Sequence, residues 1–208
     1  MQIFSFSLGS LQTNCYLVSD GSVCLLIDPA DDASFILEEI QRRRLKLEGI
    51  LATHGHFDHV LAAGEIQRSI PVPLYLFKED QFLVKRLNET AKYFLGYNPY
   101  ALEPKKCIYI LEEKMDIGGF SVEIIKTPGH TPGGGCFYFE KEKTVFTGDT
   151  LFKDGIGRYD FSYSDKNILR QSVKKILSLP GETKVLSGHG EQTSVSSAII
   201  SMKRELYS

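Results

Sequence analysis

The sequence is short of three things: paired cysteines, long apolar runs and an excess of charge of one sign. Its cysteines, Cys15, Cys24, Cys107 and Cys136, each stand alone in an apolar, strand-like stretch, with no C-x-x-C pair. That spacing excludes a disulfide framework and a thiolate-rich structural zinc site, and it predicts reduced core thiols in a cytoplasmic protein. No apolar run approaches the ~20 residues of a membrane span. The opening Met1–Leu8 lacks the cationic and apolar segments of a secretory leader. Lys+Arg 24 against Asp+Glu 26 gives a formal net charge of -2 and a pI near 6.2. Without a basic field, neither nucleic acid nor an anionic membrane is expected as a partner, and a small-molecule substrate is. The sequence carries no reading of oligomeric state. Low-complexity segments and Pro/Gly/Ser-rich linkers are also missing, so one α/β body over residues 1–208 is expected. A chain of this length buries roughly 70% of its unfolded surface and can hold its own core.

The chain opens with three strand-like runs, Gln2 to Ser7, Asn14 to Ser19 and Ser22 to Asp28, with Asp20-Gly21 read as a two-residue hairpin turn. Residues 33–47 have helical spacing, with Phe35, Ile36, Leu37 and Ile40 opposite Glu38, Glu39 and Arg42. A strand over Gly49 to Thr53 follows, then a helix from Asp58 through Ile66, a strand at Leu74 to Phe77 and a helix over 78–95 ending at Gly96. The second half reads as strands Cys107 to Ile110, Phe120 to Thr127, Cys136 to Glu140, Thr144 to Thr147 and Lys184 to Ser187, with helices over 165–178 and 194–206.

Four of these apolar runs end at a metal-capable residue: Ile50 to Thr53 before His54, Val122 to Ile125 before His130, Thr144 to Phe146 before Asp149, and Val185-Leu186 before His189. Sites in α/β folds collect beyond the carboxyl ends of strands, so four such ends can converge. Of the five histidines, three fall in His54-Gly55-His56-Phe57-Asp58-His59, and the others are His130 and His189. A lone histidine is usually a satisfied structural residue, but imidazoles and a carboxylate packed this densely point to a divalent metal. His54 and His56 lie two apart in an extended segment and can face one side, whereas the neighbours Asp58 and His59 are expected to diverge. With His130 added to the first pair, His189 to the second and Asp149 between, two three-residue half-sites can share a hydroxide. Two metals so held clamp a nucleophile and the carbonyl it attacks, and they bring the pKa of water to about 7. No cysteine enters the set, which favours a catalytic centre and hydrolysis of an ester or acyl bond.

At these residues the sequence resembles the metallo-β-lactamase superfamily, through Thr53-His54-Gly55-His56-Phe57-Asp58-His59, Thr127-Pro128-Gly129-His130-Thr131-Pro132-Gly133, Gly148-Asp149-Thr150-Leu151-Phe152 and Ser187-Gly188-His189-Gly190. The resemblance implies a four-layer αββα sandwich with the metals at one edge. It also implies metal 1 on His54, His56 and His130, metal 2 on Asp58, His59 and His189, and Asp149 bridging, with zinc first and iron or manganese compatible. Within the superfamily the chain is most similar to the small glyoxalase II-like hydrolases that cleave S-lactoylglutathione. A bridging hydroxide would attack the thioester carbonyl, and Asp58 would orient it as well as bind metal. The chain runs about 19 residues beyond His189, without the basic C-terminal helical segment that full-length glyoxalase II carries for the glutathione carboxylates. Two rivals share the ligand motifs: the mononuclear iron persulfide dioxygenases and a non-catalytic metal-binding protein. Zinc lactamases that replace a ligand by cysteine, flavodiiron proteins and nucleases with a basic surface fit less well.

Beyond the ligands, Arg158 and Asp160 lie in the Gly-rich loop 153–160, where Arg158 is read either as orienting a carboxylate or substrate anion, or as half of a structural ion pair. The aromatic residues Phe82, Tyr93, Phe94, Tyr97 and Tyr100 read first as core, and otherwise as a wall of the substrate pocket beside Lys85 and Arg86. Met115, Asp116 and Gly118-Gly119 read as a hairpin turn without further role.

Overall fold

A computed structural model describes residues 1–206. Its first half folds into a six-stranded sheet in the order β1 (Gln2–Leu8), β2 (Thr13–Asp20), β3 (Val23–Ile27), β4 (Lys46–Leu51), β5 (Leu74–Leu76), β6 (Cys107–Tyr109). The first three strands are antiparallel and the last four run parallel. The second half forms another six-stranded sheet, from β7 (Lys114–Ile117), β8 (Phe120–Lys126), β9 (Gly135–Phe139), β10 (Thr144–Gly148), β13 (Lys184–Ser187) and β14 (Thr193–Ser194). A small ribbon of β11 (Leu151–Phe152) and β12 (Gly155–Ile156) leaves it near the site.

Side-chain alternation sorts the residues into layers. On β2 and β3, Tyr16, Val18, Leu25 and Ile27 pack with Val122, Ile124, Phe137, Phe139 and Phe146 of the other sheet, forming the inter-sheet core. Leu17, Leu26 and Ile50 face the opposite way, onto Ile36 and Ile40 of α1 (Ala33–Arg42), Ile66 of α3 (Ala63–Ser69) and Leu87 of α5 (Leu87–Leu95). Cys136, Val145 and Val185 meet Leu169, Val173 and Ile176 of α6 (Lys166–Leu177) and Met202 of α7 (Val195–Leu206). Helices, sheet, sheet, helices: the four-layer αββα sandwich is present. The central strands β2, β3, β9 and β10 thus bury both faces, which is why they read as near-continuous apolar runs.

Several boundaries differ from the sequence reading. The first helix stops at Arg42, because Arg44 turns the chain with a φ of 55 and Leu47 is needed in the sheet, so β4 begins at Lys46. The β2–β3 turn is Gly21-Ser22, one residue later than read, with Asp20 paired to Val23 and Gly21 taking a φ of 58. The helix read from Asp58 is two pieces, α2 (Phe57–Val60) and α3, and that over 78–95 is a 3-10 turn, α4 (Gln81–Lys85) and α5, ended by Gly96 at a φ of 79. Lys114–Ile117 is a strand hairpinned to β8 through Gly118-Gly119.

Candidate metal centre

The carboxyl ends of β4, β8, β10 and β13 do converge, at the seam between the two sheets. His54 Nε2 and His130 Nε2 each lie 3.0 Å from His56 Nδ1. For His54 and His130 the other ring nitrogen fixes the tautomer. Thr53 gives its one hydroxyl proton to Asp28 Oδ2 at 2.7 Å, so at 3.1 Å it accepts from His54 Nδ1–H. His130 Nδ1–H donates to the Arg158 carbonyl at 2.7 Å, and His56 Nε2 is hydrogen-bonded to the Tyr163 hydroxyl at 2.9 Å. The bare Nε2 lone pairs of His54 and His130 therefore face His56 Nδ1 in a buried pocket, an arrangement of imidazole donors that a cation between them would satisfy.

The second group is built from α2 and two loops. His59 Nδ1–H donates to Asp28 Oδ2 at 2.9 Å, which leaves His59 Nε2 buried and without a hydrogen-bond partner. Asp149 Oδ1, equally orphaned, lies 3.4 Å from it, while Asp149 Oδ2 is 3.5 Å from His130 Nε2 and 3.7 Å from His189 Nε2. The carboxylate thus looks toward both groups. Asp58 Oδ2 accepts from Thr13 Oγ1 at 2.9 Å and sits 3.3 Å from His189 Nε2. Although Asp58 and His59 leave the helix in different directions, their tips close to 3.7 Å, so the expected divergence holds only at the backbone. Side-chain donors of His54, His56 and His130, of His54, His59 and Asp149, and of Asp58, His59 and His189 fall into three overlapping groups of metal-binding size. Orphaned polar atoms and unprotonated nitrogens fit divalent cations.

Charge follows from the same placement. Burial, helped by the other imidazoles, holds His54 well below the usual histidine range and takes His56 down to about 3. Burial works against ionised Asp58 and Asp149, but the neighbouring imidazoles outweigh it and hold both below the usual carboxylate range. Burial likewise opposes protonated His59, yet Asp58, Asp149 and Asp28 push it well above its ordinary value.

The sequence reading missed the supports. Asp28, with its side chain 1% exposed, accepts from Thr53 N and Oγ1 and from His59 Nδ1, tying the residue that precedes His54 to His59. Asp80 accepts from Gly55 N, Thr131 Oγ1 and Gly133 N at 2.6–2.8 Å, clamping the loops that carry His54 and His130. Asn14 and Tyr16 donate to the Ser187 carbonyl and hold the His189 loop. Of these, Asp28 had a signal: like the ligands, it closes an apolar strand, Leu25-Leu26-Ile27.

A cleft of about 250 Å³ opens onto His56, Asp58, His130, Asp149 and His189. Arg158 lies in its wall, but its guanidinium grips Asp160 through two bonds of 2.9 and 2.8 Å and lies over Phe161, while its backbone carbonyl holds His130. The aromatic residues of the 78–100 segment are not core: Tyr93 and Tyr100 are more than 80% exposed, and Phe94 lines the cleft. Lys85 lines a separate cleft, and Arg86 pairs with Glu89.

The profile of the Metallo-beta-lactamase superfamily matches residues 8–189. The hydroxyacylglutathione hydrolase GloC of Haemophilus influenzae is 36% identical over 94% of this chain and 93% of its own. Among solved structures, the BLEG-1 B3 metallo-beta-lactamase superposes with a TM-score of 0.91 at 31% identity, covering 100% of both chains. TTHA1623, in a di-iron-bound form, superposes with a TM-score of 0.86 at 37% identity over 97% of both.

Proposed function

From the premise that the chain belongs to the metallo-beta-lactamase superfamily, we propose that it is a binuclear metallohydrolase that cleaves thioesters. The observation that carries the reading is the convergence of seven donor residues into overlapping groups of metal-binding size, with His59 Nε2 and Asp149 Oδ1 buried and orphaned among them. On this reading His54, His56 and His130 hold one ion, Asp58, His59 and His189 the other, and Asp149 lies between. Zinc is the first candidate, with iron and manganese suited to the same donors. Divalent ions held there supply Lewis acidity toward a carbonyl oxygen and lower the pKa of water toward neutrality.

The chain's own groups do the rest. Asp58, ionised and held by Thr13, binds metal and orients the attacking water toward the carbonyl carbon. Thr53 and the Arg158 carbonyl keep His54 and His130 in the tautomers that leave their inward nitrogens bare, and the Tyr163 hydroxyl holds His56 in orientation. The cleft walls position the substrate beside this cluster and exclude bulk water, which strengthens each electrostatic contact. A thioester is favoured over other acyl bonds because the relative from Haemophilus influenzae carries that activity in its name and shares nearly its whole length with this chain.

Elemental mass spectrometry on protein purified without added metal or chelator tests the reading, followed by a panel of thioesters with S-lactoylglutathione, esters and β-lactams. Close to two zinc ions per chain and thioester turnover are expected. One iron per chain with oxygen uptake on glutathione persulfide would replace the hydrolase by a dioxygenase, and β-lactam turnover alone would replace the substrate class. Asp58→Ala and His54→Ala are expected to lower kcat/KM at least a thousandfold, on the order of the loss on removing a principal catalytic group, while far-UV circular dichroism stays native. Unchanged turnover in either would overturn the assignment.

A further inference from the structure

Two aromatic pairs stand in the wall of the cleft over the metal-binding cluster. Phe57 and Phe94 stack with centroids 5.9 Å apart and planes 19° from parallel, and Phe161 and Tyr163 stack at 5.4 Å and 15°. All four line the cleft, together with Leu11 and Thr90. Phe161 sets its ring against the edges of His56 and His130, at centroid distances of 5.2 and 5.9 Å, so the apolar wall begins where the ligands end.

The charge of this wall is as telling as its shape. Its one guanidinium, Arg158, is paired with Asp160 through two bonds, Lys85 lines a separate cleft, and Arg86, close enough to act on Tyr163, is paired with Glu89. Among the described residues lining the cleft, no other lysine or arginine is present. A tripeptide thiol with two carboxylates would have to draw Arg158 away from Asp160, whereas a flat apolar group would find two ring stacks ready. The whole cleft, the space over the donor cluster included, measures about 250 Å³, so a ring of benzene size, which an enclosed apolar cavity of ~150 Å³ accommodates, fits within it.

Resting on the thioester hydrolase reading, we propose that the cleft selects substrates bearing a neutral, ring-sized apolar group next to the scissile carbonyl, in preference to the small polar lactoyl group joined to anionic glutathione. The group can be carried on the acyl or on the thiol side, and the test separates the two.

The metal-loaded full chain is assayed with S-lactoylglutathione, with S-benzoylglutathione, which places the ring on the acyl side, and with the lactoyl thioester of phenylmethanethiol, which places it on the thiol side. At least one aromatic substrate is expected to exceed S-lactoylglutathione about tenfold in kcat/KM, the order of discrimination an apolar pocket gives. Phe94→Ala, a change at a residue 43% exposed and so safe for folding, is expected to shrink that ratio to within about twofold. Asp160→Asn frees the Arg158 guanidinium and is expected to raise kcat/KM for the glutathione substrates relative to the neutral one. S-lactoylglutathione equal to or better than both aromatic substrates, or a ratio that Phe94→Ala leaves intact, overturns this inference while the hydrolase reading stands. Failure on every thioester overturns both.

Discussion

Asp28 shows what a single residue can do without touching substrate. It is buried at the end of β3, with a φ of 50, and its two oxygens take hydrogen bonds from Thr53 twice and from His59 once. Asn at this position would turn an amide N–H toward donors. Asp28→Asn is therefore expected to weaken metal binding by roughly 10–100-fold, as for other partners of ligating histidines, measured by competition with a chromophoric chelator; unchanged affinity would show that Thr53 and His59 hold their orientation alone. Tyr163 makes a milder case, since it holds His56 by one hydrogen bond to Nε2 at the rim. Tyr163→Phe keeps the ring stack and removes that hydrogen bond, so a loss of about tenfold in metal affinity is expected at unchanged thermal stability. The clustering of histidines was legible in the sequence, because so dense a run of imidazoles has no packing explanation. Asp80 and Tyr163 were not, since each meets its partner only after the fold has brought together positions 51 and 107 residues apart.

The elements succeed or fail on close approach at the strand ends. Gly148, the last residue of β10, has a φ of 48, and a Cβ there would collide with Thr53 Oγ1, the hydroxyl that serves both Asp28 and His54. Gly148→Ala should cost about 1–3 kcal/mol through overpacking, and metal content should fall with it, because the collision displaces Thr53. Gly155→Ala, where the same methyl meets nothing within 4 Å, is the control. Equal melting temperatures for the two variants would contradict the packing argument. Apolar runs identified most strands because both sheet faces are buried, yet periodicity misjudged the ends. At 33–47 the apolar residues of a helix and of the next strand form one pattern, and only the left-handed Arg44 separates them. The aromatics of 78–100 misled for the related reason that helical spacing says which face is apolar but not whether protein covers it.

For the whole molecule, the metal-binding cluster concentrates unsatisfied polar groups that a cation would relieve, and the buried, orphaned His59 Nε2 and Asp149 Oδ1 are the clearest of them. Stripping the protein with a chelator is expected to lower its melting temperature by roughly 5–10 °C, the scale set by a ligand at about a hundred times its Kd acting on a chain of this size. Restoring zinc should reverse the shift, and a melting curve indifferent to chelator would argue against tight metal binding. The superfamily's αββα layering came from the motifs; the mixed strands and helices alone gave one α/β body, and their converging ends were compatible with that layering without producing it.

Each sheet is drawn from one continuous half of the chain, which passes from the first to the second once, between Tyr109 and Lys114. His54, His56, Asp58 and His59 belong to the first half, and His130, Asp149 and His189 to the second. During synthesis, therefore, the earlier half emerges with donors but without any of the three that complete the set. On the proposed reading, neither half alone can claim an ion in the finished geometry. The choice of ion falls to the folded chain, after the two halves have docked, and not to whichever cation the growing polypeptide meets first.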